Sequence, residues 1–460
     1  MAGRQPRFAG ALALYPARTL FAWYAGLVAV GSALLMLPAC RAPGAAPFSL
    51  TEAVFTAASA ACVTGLMVKS TVTDLSLAGQ AVVLVLIQLG GLGIMSIATL
   101  LFVSFTGRQP VHYRLLTRET VGAPMGSNLR GLLARVVGLT LAVEAVGAAL
   151  LFLARLGEAP VGKLAWWAVF HSVSAFCNAG ISLQDDSLAA WSGDAGVLLV
   201  FALLIVVGGL GFPVLLDIVT GGTPWAGGRR LQTHTRLVLW ASGVLVLIGT
   251  AAIWLIERDG ALAGAGAGGS LLHAFFQSVT ARTAGFSTLE MAALSNATLL
   301  VLMALMFVGG APCSAAGGVK VTTLAVLVLQ GVSQFRRRWQ TPVFGRRVPG
   351  RVLAVATVVV AVQAVILGAG LMALLVIESG DVSHADSRQG FLDILFEAVS
   401  ALGTVGLSTG ATAGLKDASL AVITAMMLLG RVGPLAVASL LMREPAGPKI
   451  RYPEGEIIVG

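Results

Sequence analysis

Apolar residues fill this chain in runs of about 20, the length of helix that crosses a hydrocarbon core, and polar residues gather in short intervals between them. The pattern predicts eight main spans near residues 19–37, 80–105, 131–156, 195–219, 236–256, 296–330, 352–377 and 418–442. Inside each successive pair lies a shorter apolar stretch, such as "FTAASAA" (55–61) or "FHSVSAF" (170–176), too short to cross a bilayer. One span breaks the pattern. Residues 309–318 read "GGAPCSAAGG", and Lys320 follows at membrane depth. Glycine costs roughly 1 kcal/mol against alanine inside a helix and proline about 3, so this stretch is expected to unwind locally.

The short stretches belong to an internal repeat. "CVTGL" (62–66), "CNAGI" (177–181), "RTAGF" (282–286) and "GTVGL" (403–407) recur at intervals of 105 to 121 residues. Ten residues before each glycine stands Phe55, Phe170, Phe275 or Phe396. Some 24 to 28 residues after it comes a second cluster: Gly90–Gly91, Gly208–Gly209, Gly309–Gly310 and Gly430–Arg431. The second cluster is read as close helix packing for Gly90, Gly91, Gly208 and Gly209. The unit is therefore first span, short half-helix, glycine loop, second span, with quarters at 1–110, 111–230, 231–345 and 346–460. The expected fold is all-α and integral to the membrane, four such M1–pore helix–M2 repeats around a central pore, as in a potassium channel.

A half-helix that ends at membrane depth leaves carbonyls without partners, which survive only where they line protein or a water-filled cavity. "SLTE" (49–52) fits a capping box at the start of the first half-helix. The carboxyl end carries partial negative charge and favours a cation. Glycine then permits the left-handed backbone that turns successive carbonyls to one side. Four loops about one axis would replace the hydration shell of an ion with main-chain oxygens. The expected contributors are Val63, Thr64, Gly65, Asn178, Ala179, Gly180, Thr283, Ala284, Gly285, Thr404, Val405 and Gly406. No carboxylate stands in any loop core, which favours a monovalent ion, K+ first, over a divalent one. One glycine per loop, where a potassium channel typically has two, points to looser discrimination.

Composition agrees and excludes alternatives. With 57% hydrophobic and 11% charged residues among 460, the chain is a membrane protein. Net charge is +9, and the basic residues concentrate in the termini and the connections after spans two, four and six, including Arg229–Arg230 and Arg336–Arg337–Arg338. Those regions hold only Glu119, Asp217, Glu444, Glu454 and Glu456 of the 21 acids, which places both termini in the cytosol. The charge is thus topology, not nucleic-acid binding. Four scattered cysteines and five histidines show neither disulfide nor metal spacing. "LPAC" (37–40) faintly resembles a lipoprotein cleavage site, but the run serves as the first span of the repeat. "AGGVK" lacks the spacing of a phosphate loop. No arrangement for intramembrane catalysis is present, so an enzyme is not expected.

"VTGL", "CNAG", "RTAGF" and "TVGLST" resemble the four filter loops of the Trk/Ktr/HKT superfamily of potassium transporters. "QLGGLGIM", "GGLGFPVLLDI" and the closing "IRYPEGEIIVG" resemble more narrowly the membrane subunits of Ktr systems. The resemblance implies channel-like potassium uptake across the cytoplasmic (inner) membrane, Na+ as a stimulating ion, and a homodimer with one pore per chain. It also implies a cytosolic ring of RCK domains that binds ATP or ADP, and no cofactor on this chain. A Trk-type subunit, or a less selective monovalent cation channel, is the alternative. The same resemblance makes 309–319 an intramembrane gating loop that crosses the pore beneath the filter, with Gly309, Gly310, Pro312, Ser314, Gly317 and Gly318 as its flexible and small positions. The repeat itself singles out Arg431, which falls where the other repeats have Gly91, Gly209 and Gly310. Lys320 and Arg431 are expected to hold the closed loop and to repel cations below the filter.

Overall fold

The computed structural model describes residues 16–92, 129–221, 231–380, 383 and 388–433. The distal half of the predicted span 80–105, the basic stretch 106–114, the end of span 418–442 and the closing segment 450–460 lie outside the described residues. What is described is almost entirely helical: α1 (Pro16–Leu35), α2 (Leu50–Ala61), α3 (Leu77–Gly91), α4 (Leu129–Ala154), α5 (Val161–Phe176), α6 (Ala195–Leu210), α7 (Phe212–Gly221), α8 (Thr233–Glu257), α9 (Gly266–Thr280), α10 (Asn296–Phe307), α11 (Val321–Phe335), α12 (Gly350–Ser379), α13 (Arg388–Gly403) and α14 (Asp417–Val432). A two-residue hairpin, β1 (Pro342–Val343) with β2 (Arg346–Arg347), interrupts the arginine-rich segment after α11.

Local sequence explains the starts. Ser49 and Glu52 form the capping box at α2, the serine hydroxyl accepting from Glu52 N–H and the carboxylate from Ser49 N–H at 2.8 Å. Ser76, Asp194 and Ser295 cap α3, α6 and α10 with their side-chain oxygens. The half-helices α2, α5, α9 and α13 end in the protein interior, and α2 buries Ala53, Ala57, Ala58, Ala60 and Ala61 completely. Small residues there let the surrounding helices approach closely.

Packing closes in a cycle. Within each quarter the first helix lies on the half-helix: α1 on α2, α4 on α5, α8 on α9, α12 on α13. Between quarters the second helix lies on the next half-helix: α3 on α5, α6 on α9, α10 on α13, and α14 back on α2. The phenylalanine landmark needs one correction. Phe55, Phe170 and Phe396 are fully buried, but in the third quarter it is Phe276, not Phe275, that is. The loop there is one residue shorter: Ala284 N–H bonds the carbonyl of Thr280, four residues back, whereas Thr64, Ala179 and Val405 reach back five, to Ser59, Ser174 and Ser400.

Three helical segments, Ala134–Ala154, Thr233–Glu257 and Gly350–Ser379, are each long and apolar enough to cross a membrane. The predicted span 19–37 appears as a shorter apolar helix, Phe21–Leu35, and the spans 80–105 and 418–442 are described only in part. The predicted span 296–330 parts into α10 and α11 at its glycine-rich stretch. The predicted span 195–219 is also broken, which the sequence reading did not anticipate: α6 and α7 meet at 101°. Gly211 takes φ +83° at the corner, and Pro213 removes the N–H that would have bonded the Gly209 carbonyl.

Candidate functional site

The four glycine loops meet. A methyl group placed on Gly65 would strike the carbonyl oxygen of Ala179; on Gly180, that of Ala284; on Gly285, that of Val405; and on Gly406, that of Thr64. The relation runs once around the molecule and closes, so each loop faces the next across a common centre. All twelve expected loop residues lie in this ring, and those with side chains are buried, none more than 1% exposed.

The backbone explains the orientation. Each glycine has positive φ, +99° at Gly65, +65° at Gly180, +80° at Gly285 and +92° at Gly406. So does the residue two before it, Val63 (+56°), Asn178 (+59°), Thr283 (+72°) and Thr404 (+50°). A β-branched residue at positive φ is a genuine outlier that costs on the order of 1–3 kcal/mol and persists only where its surroundings impose it. Here the half-helix imposes it. The N–H groups of Thr64, Ala179, Ala284 and Val405 are drawn back onto the helix end, and the Ser59 and Ser400 hydroxyls accept from Gly65 and Gly406, each at 3.0 Å. The hydroxyls of Ser174 and Thr280 instead donate to the carbonyls of Ile181 (2.7 Å) and Phe286 (2.6 Å). With these N–H groups tied to the helix end, the carbonyls of Thr64, Ala179, Ala284 and Val405 lie against the glycines of the neighbouring loops. Among the described residues no hydrogen bond reaches the carbonyl oxygens of Thr64, Ala179, Ala284 or Val405. The hydroxyls of Thr64, Thr283 and Thr404 are likewise buried there without a partner among the described residues. The anchoring hydroxyls were not singled out in the sequence, although a serine six residues before the glycine in three quarters was a readable signal.

In three quarters the second glycine cluster lies against the end of its half-helix, whereas Gly309 of the third lies against the Gly317 carbonyl. Gly90, Gly208 and Gly430 leave no room for a side chain beside the carbonyls of Ala61, Phe176 and Leu402. Close packing therefore accounts for them, but Gly208 and Gly209 do more. Their carbonyls, released by the break at Gly211, accept from Ala315 N–H (3.3 Å) and Ala311 N–H (2.9 Å), while Phe212 N–H donates to the Cys313 carbonyl (3.2 Å). The two broken helices thus satisfy each other's backbone, as an interior without water requires.

The loop between α10 and α11 closes on itself through a parallel bridge of Val308 and Val319 and packs against the glycine ring. Gly317 lies against Thr404 and the Gly403 carbonyl, and Gly309 against Thr283. Gly310 lies against the Gly209 carbonyl, and Pro312 against Gly211. Gly318 has φ +64°, and the Ser314 hydroxyl accepts from Ala316 N–H at 3.3 Å. Lys320 Nζ donates to the Ala316 carbonyl at 2.7 Å. Arg431 donates through Nη1 to the adjacent carbonyl, Ala315, and through Nη2 to Gly90 at 2.6 Å; its Nε donates to the Tyr24 hydroxyl at 3.3 Å. The two cations therefore seize neighbouring carbonyls of one loop, and neither is paired with a carboxylate among the described residues. Tyr24 was not a sequence candidate; nothing local marks it.

Restoring the N–H at residue 213 tests the mutual tie. Pro213→Ala is expected to let α6 and α7 join, withdrawing the Gly208 and Gly209 carbonyls from the loop. Cys313, half-exposed while the other three cysteines are buried, should then react with a maleimide severalfold faster. An unchanged labelling rate would show that the break does not hold the loop.

Described residues that are almost entirely helical, with helices long and apolar enough to cross a membrane and glycine loops that gather unpaired main-chain oxygens at one centre, define a class: integral membrane transport proteins. The family described as TrkH, cation transport protein, matches residues 34–447, and the chain belongs to it. Its sequence is 34% identical to the Ktr system potassium uptake protein B of Vibrio alginolyticus over 96% of this chain and 94% of that protein. It is also 34% identical to the protein of that name in Bacillus subtilis, over 94% of each chain. The potassium/sodium uptake protein NtpJ of Enterococcus hirae is 33% identical over 97% of this chain and 98% of its own. The crystal structure of the potassium transporter TrkH from Vibrio parahaemolyticus has the same fold, with a TM-score of 0.70 and 21% identity, covering 93% of this chain and 84% of that one.

Proposed function

We propose that this chain is the potassium-translocating membrane subunit of a Ktr-type uptake system, conducting K+ through a filter built by the four glycine loops. The observation that carries this reading is the closed ring in which each loop turns an unpaired carbonyl toward the preceding loop's glycine. Neutral oxygens in such a ring can replace the water around a monovalent ion without the charge a divalent cation would demand. The four half-helices bring their negative ends to the same centre. The apolar runs support eight main spans, the charge asymmetry supports cytosolic termini, and the resemblance to Ktr membrane subunits supports the cytoplasmic (inner) membrane. The loop at 309–319, held by Arg431 and Lys320, is the gate.

The relatives' names speak of a Ktr system, which supports a separate partner subunit, and the family resemblance extends the reading to assembly. The chain would work as a homodimer on a cytosolic RCK ring, with ATP or ADP bound by that partner and Na+ as a stimulating ion. Tracer potassium flux into proteoliposomes, measured with and without the partner ring, tests it, together with growth of a potassium-uptake-deficient host on low potassium. Flux no greater than in empty vesicles would overturn the proposal. One glycine per loop favours a second reading, a less selective monovalent channel, and equal Na+ and K+ flux would establish that one.

A further inference from the structure

Directly after each buried phenylalanine of the half-helices stands a polar residue: Thr56, His171, Gln277 and Glu397. Three of them reach past their glycine to the outgoing limb of the same loop. His171 Nε2 lies 3.0 Å from the Ser182 hydroxyl and accepts from Leu183 N–H at 3.2 Å. Gln277 Nε2 donates to the Ser287 hydroxyl at 3.1 Å. Glu397 is the most engaged: one carboxylate oxygen accepts from the Ser408 hydroxyl (2.5 Å) and Thr409 N–H (3.1 Å), the other from the Thr412 hydroxyl (2.5 Å). In each case the first partner is a serine two residues beyond the glycine, at 182, 287 and 408. The first quarter lacks both halves of the pair. Met67 stands where the serine would be, and the Thr56 hydroxyl has no partner.

The pairing of brace and serine in three quarters, and the loss of both in the fourth case, argues that they act together. We propose that His171, Gln277 and Glu397 are positioning residues that fix the outer limbs of their loops, and that Glu397 is the principal determinant of ion discrimination at the outer end of the filter. The inference rests on the filter reading above. Its physics is preorganisation: carbonyls tell one alkali ion from another only while the loops keep their shape, and a fully buried carboxylate with three donors and no cationic partner among the described residues holds one limb more firmly than the neutral braces hold theirs. Glu397 touches no ion. It acts through residues 408 to 412.

The test is tracer K+ influx into proteoliposomes of the full chain with graded Na+ competitor, which gives a K+/Na+ discrimination ratio separately from the maximal K+ flux; thermal midpoints monitor folding. Glu397→Ala is expected to reduce the ratio about tenfold while K+ flux persists. Glu397→Gln, which keeps one acceptor for Ser408 and Thr409, should restore part of it, and Ser408→Ala should fall between Gln and the parent. Thr56→Val should leave the ratio unchanged. A role limited to folding would lower the midpoint and the yield without moving the ratio, and that result overturns the proposal. So does an unchanged ratio in both Glu397→Gln and Ser408→Ala, the pair that decides if Glu397→Ala does not fold. A parent whose flux collapses in Gly406→Ser but is indifferent to residue 397 sinks only this inference; a parent without flux sinks the filter reading and this one with it.

Discussion

Serine in place of Gly65, Gly285 or Gly406 is expected to reduce selective potassium flux by tenfold or more, and Gly180→Ser to be the mildest of the four. Two costs add. The φ values of +80° to +99° at the first three lie beyond the small left-handed basin that side chains tolerate, whereas +65° at Gly180 lies within reach of it. The added β-carbon also drives into the next loop's carbonyl at those three positions, while at Gly180 its nearest atoms, the Ala284 oxygen and the Gly285 Cα, stand at 2.8 Å. About 1–3 kcal/mol of backbone strain corresponds to roughly a fivefold to hundredfold loss, and displacement of the neighbouring oxygen adds to it. Because the contacts run around the ring, each substitution also disturbs the following quarter. Tracer flux and K+/Na+ competition in vesicles measure the effect. A ranking in which Gly180→Ser is the most severe would contradict the geometry, and intact discrimination in Gly406→Ser would remove the filter from these loops.

Removing the hold on the 309–319 loop should have the opposite sign. Arg431 ties three quarters at one point, through Ala315 of the third, Gly90 and Tyr24 of the first, and its own helix in the fourth. Hydrogen bonds from a charged donor are worth roughly 1.5–3 kcal/mol each. Arg431→Ala removes all three, and since the loss of even one such bond corresponds to about a tenfold shift, flux is expected to rise by at least tenfold. Replacing residues 311–316 by a short glycine linker should do at least as much, since it also removes the backbone partners of Gly208, Gly209 and Phe212. Arg431→Lys separates two causes. If the arginine works by charge alone, repelling cations below the ring, lysine will behave as the parent does. If it works as a fork, lysine will resemble alanine, because an ammonium on a single stem cannot span Ala315 and Gly90 together. The fork is the expected result, given that Lys320 already supplies a second positive charge beside the same loop. Unchanged flux in the linker variant would mean that the loop obstructs nothing.

Much of this molecule is set by local sequence. Apolar run length places helices at membrane depth. The spacing of the "TG", "AG", "AG" and "VG" loops marks the places where helices stop, because glycine and proline act on the backbone wherever they stand. The capping box at Ser49 and the odd arginine at 431 belong with these, each visible from a few residues or from the period alone. Tertiary structure alone decided the rest. "GGLGFP" reads equally well as tight packing or as a corner, and what settles it is the Ala311 N–H, about a hundred residues away, waiting for the Gly209 carbonyl. Val63, Thr283 and Thr404 have side chains that avoid positive φ when free, yet take it here because the half-helix ends claim the N–H groups of the residues that follow them. The one-residue shortening that makes Phe276 the buried landmark, the place of Tyr24 beside Arg431, and the pairing of Glu397 with Ser408 are likewise choices among partners. A residue's conformational preferences are local, but the partner that satisfies a buried donor or acceptor is fixed only when distant segments arrive together, and in this chain the ring and its clasp are made of such meetings.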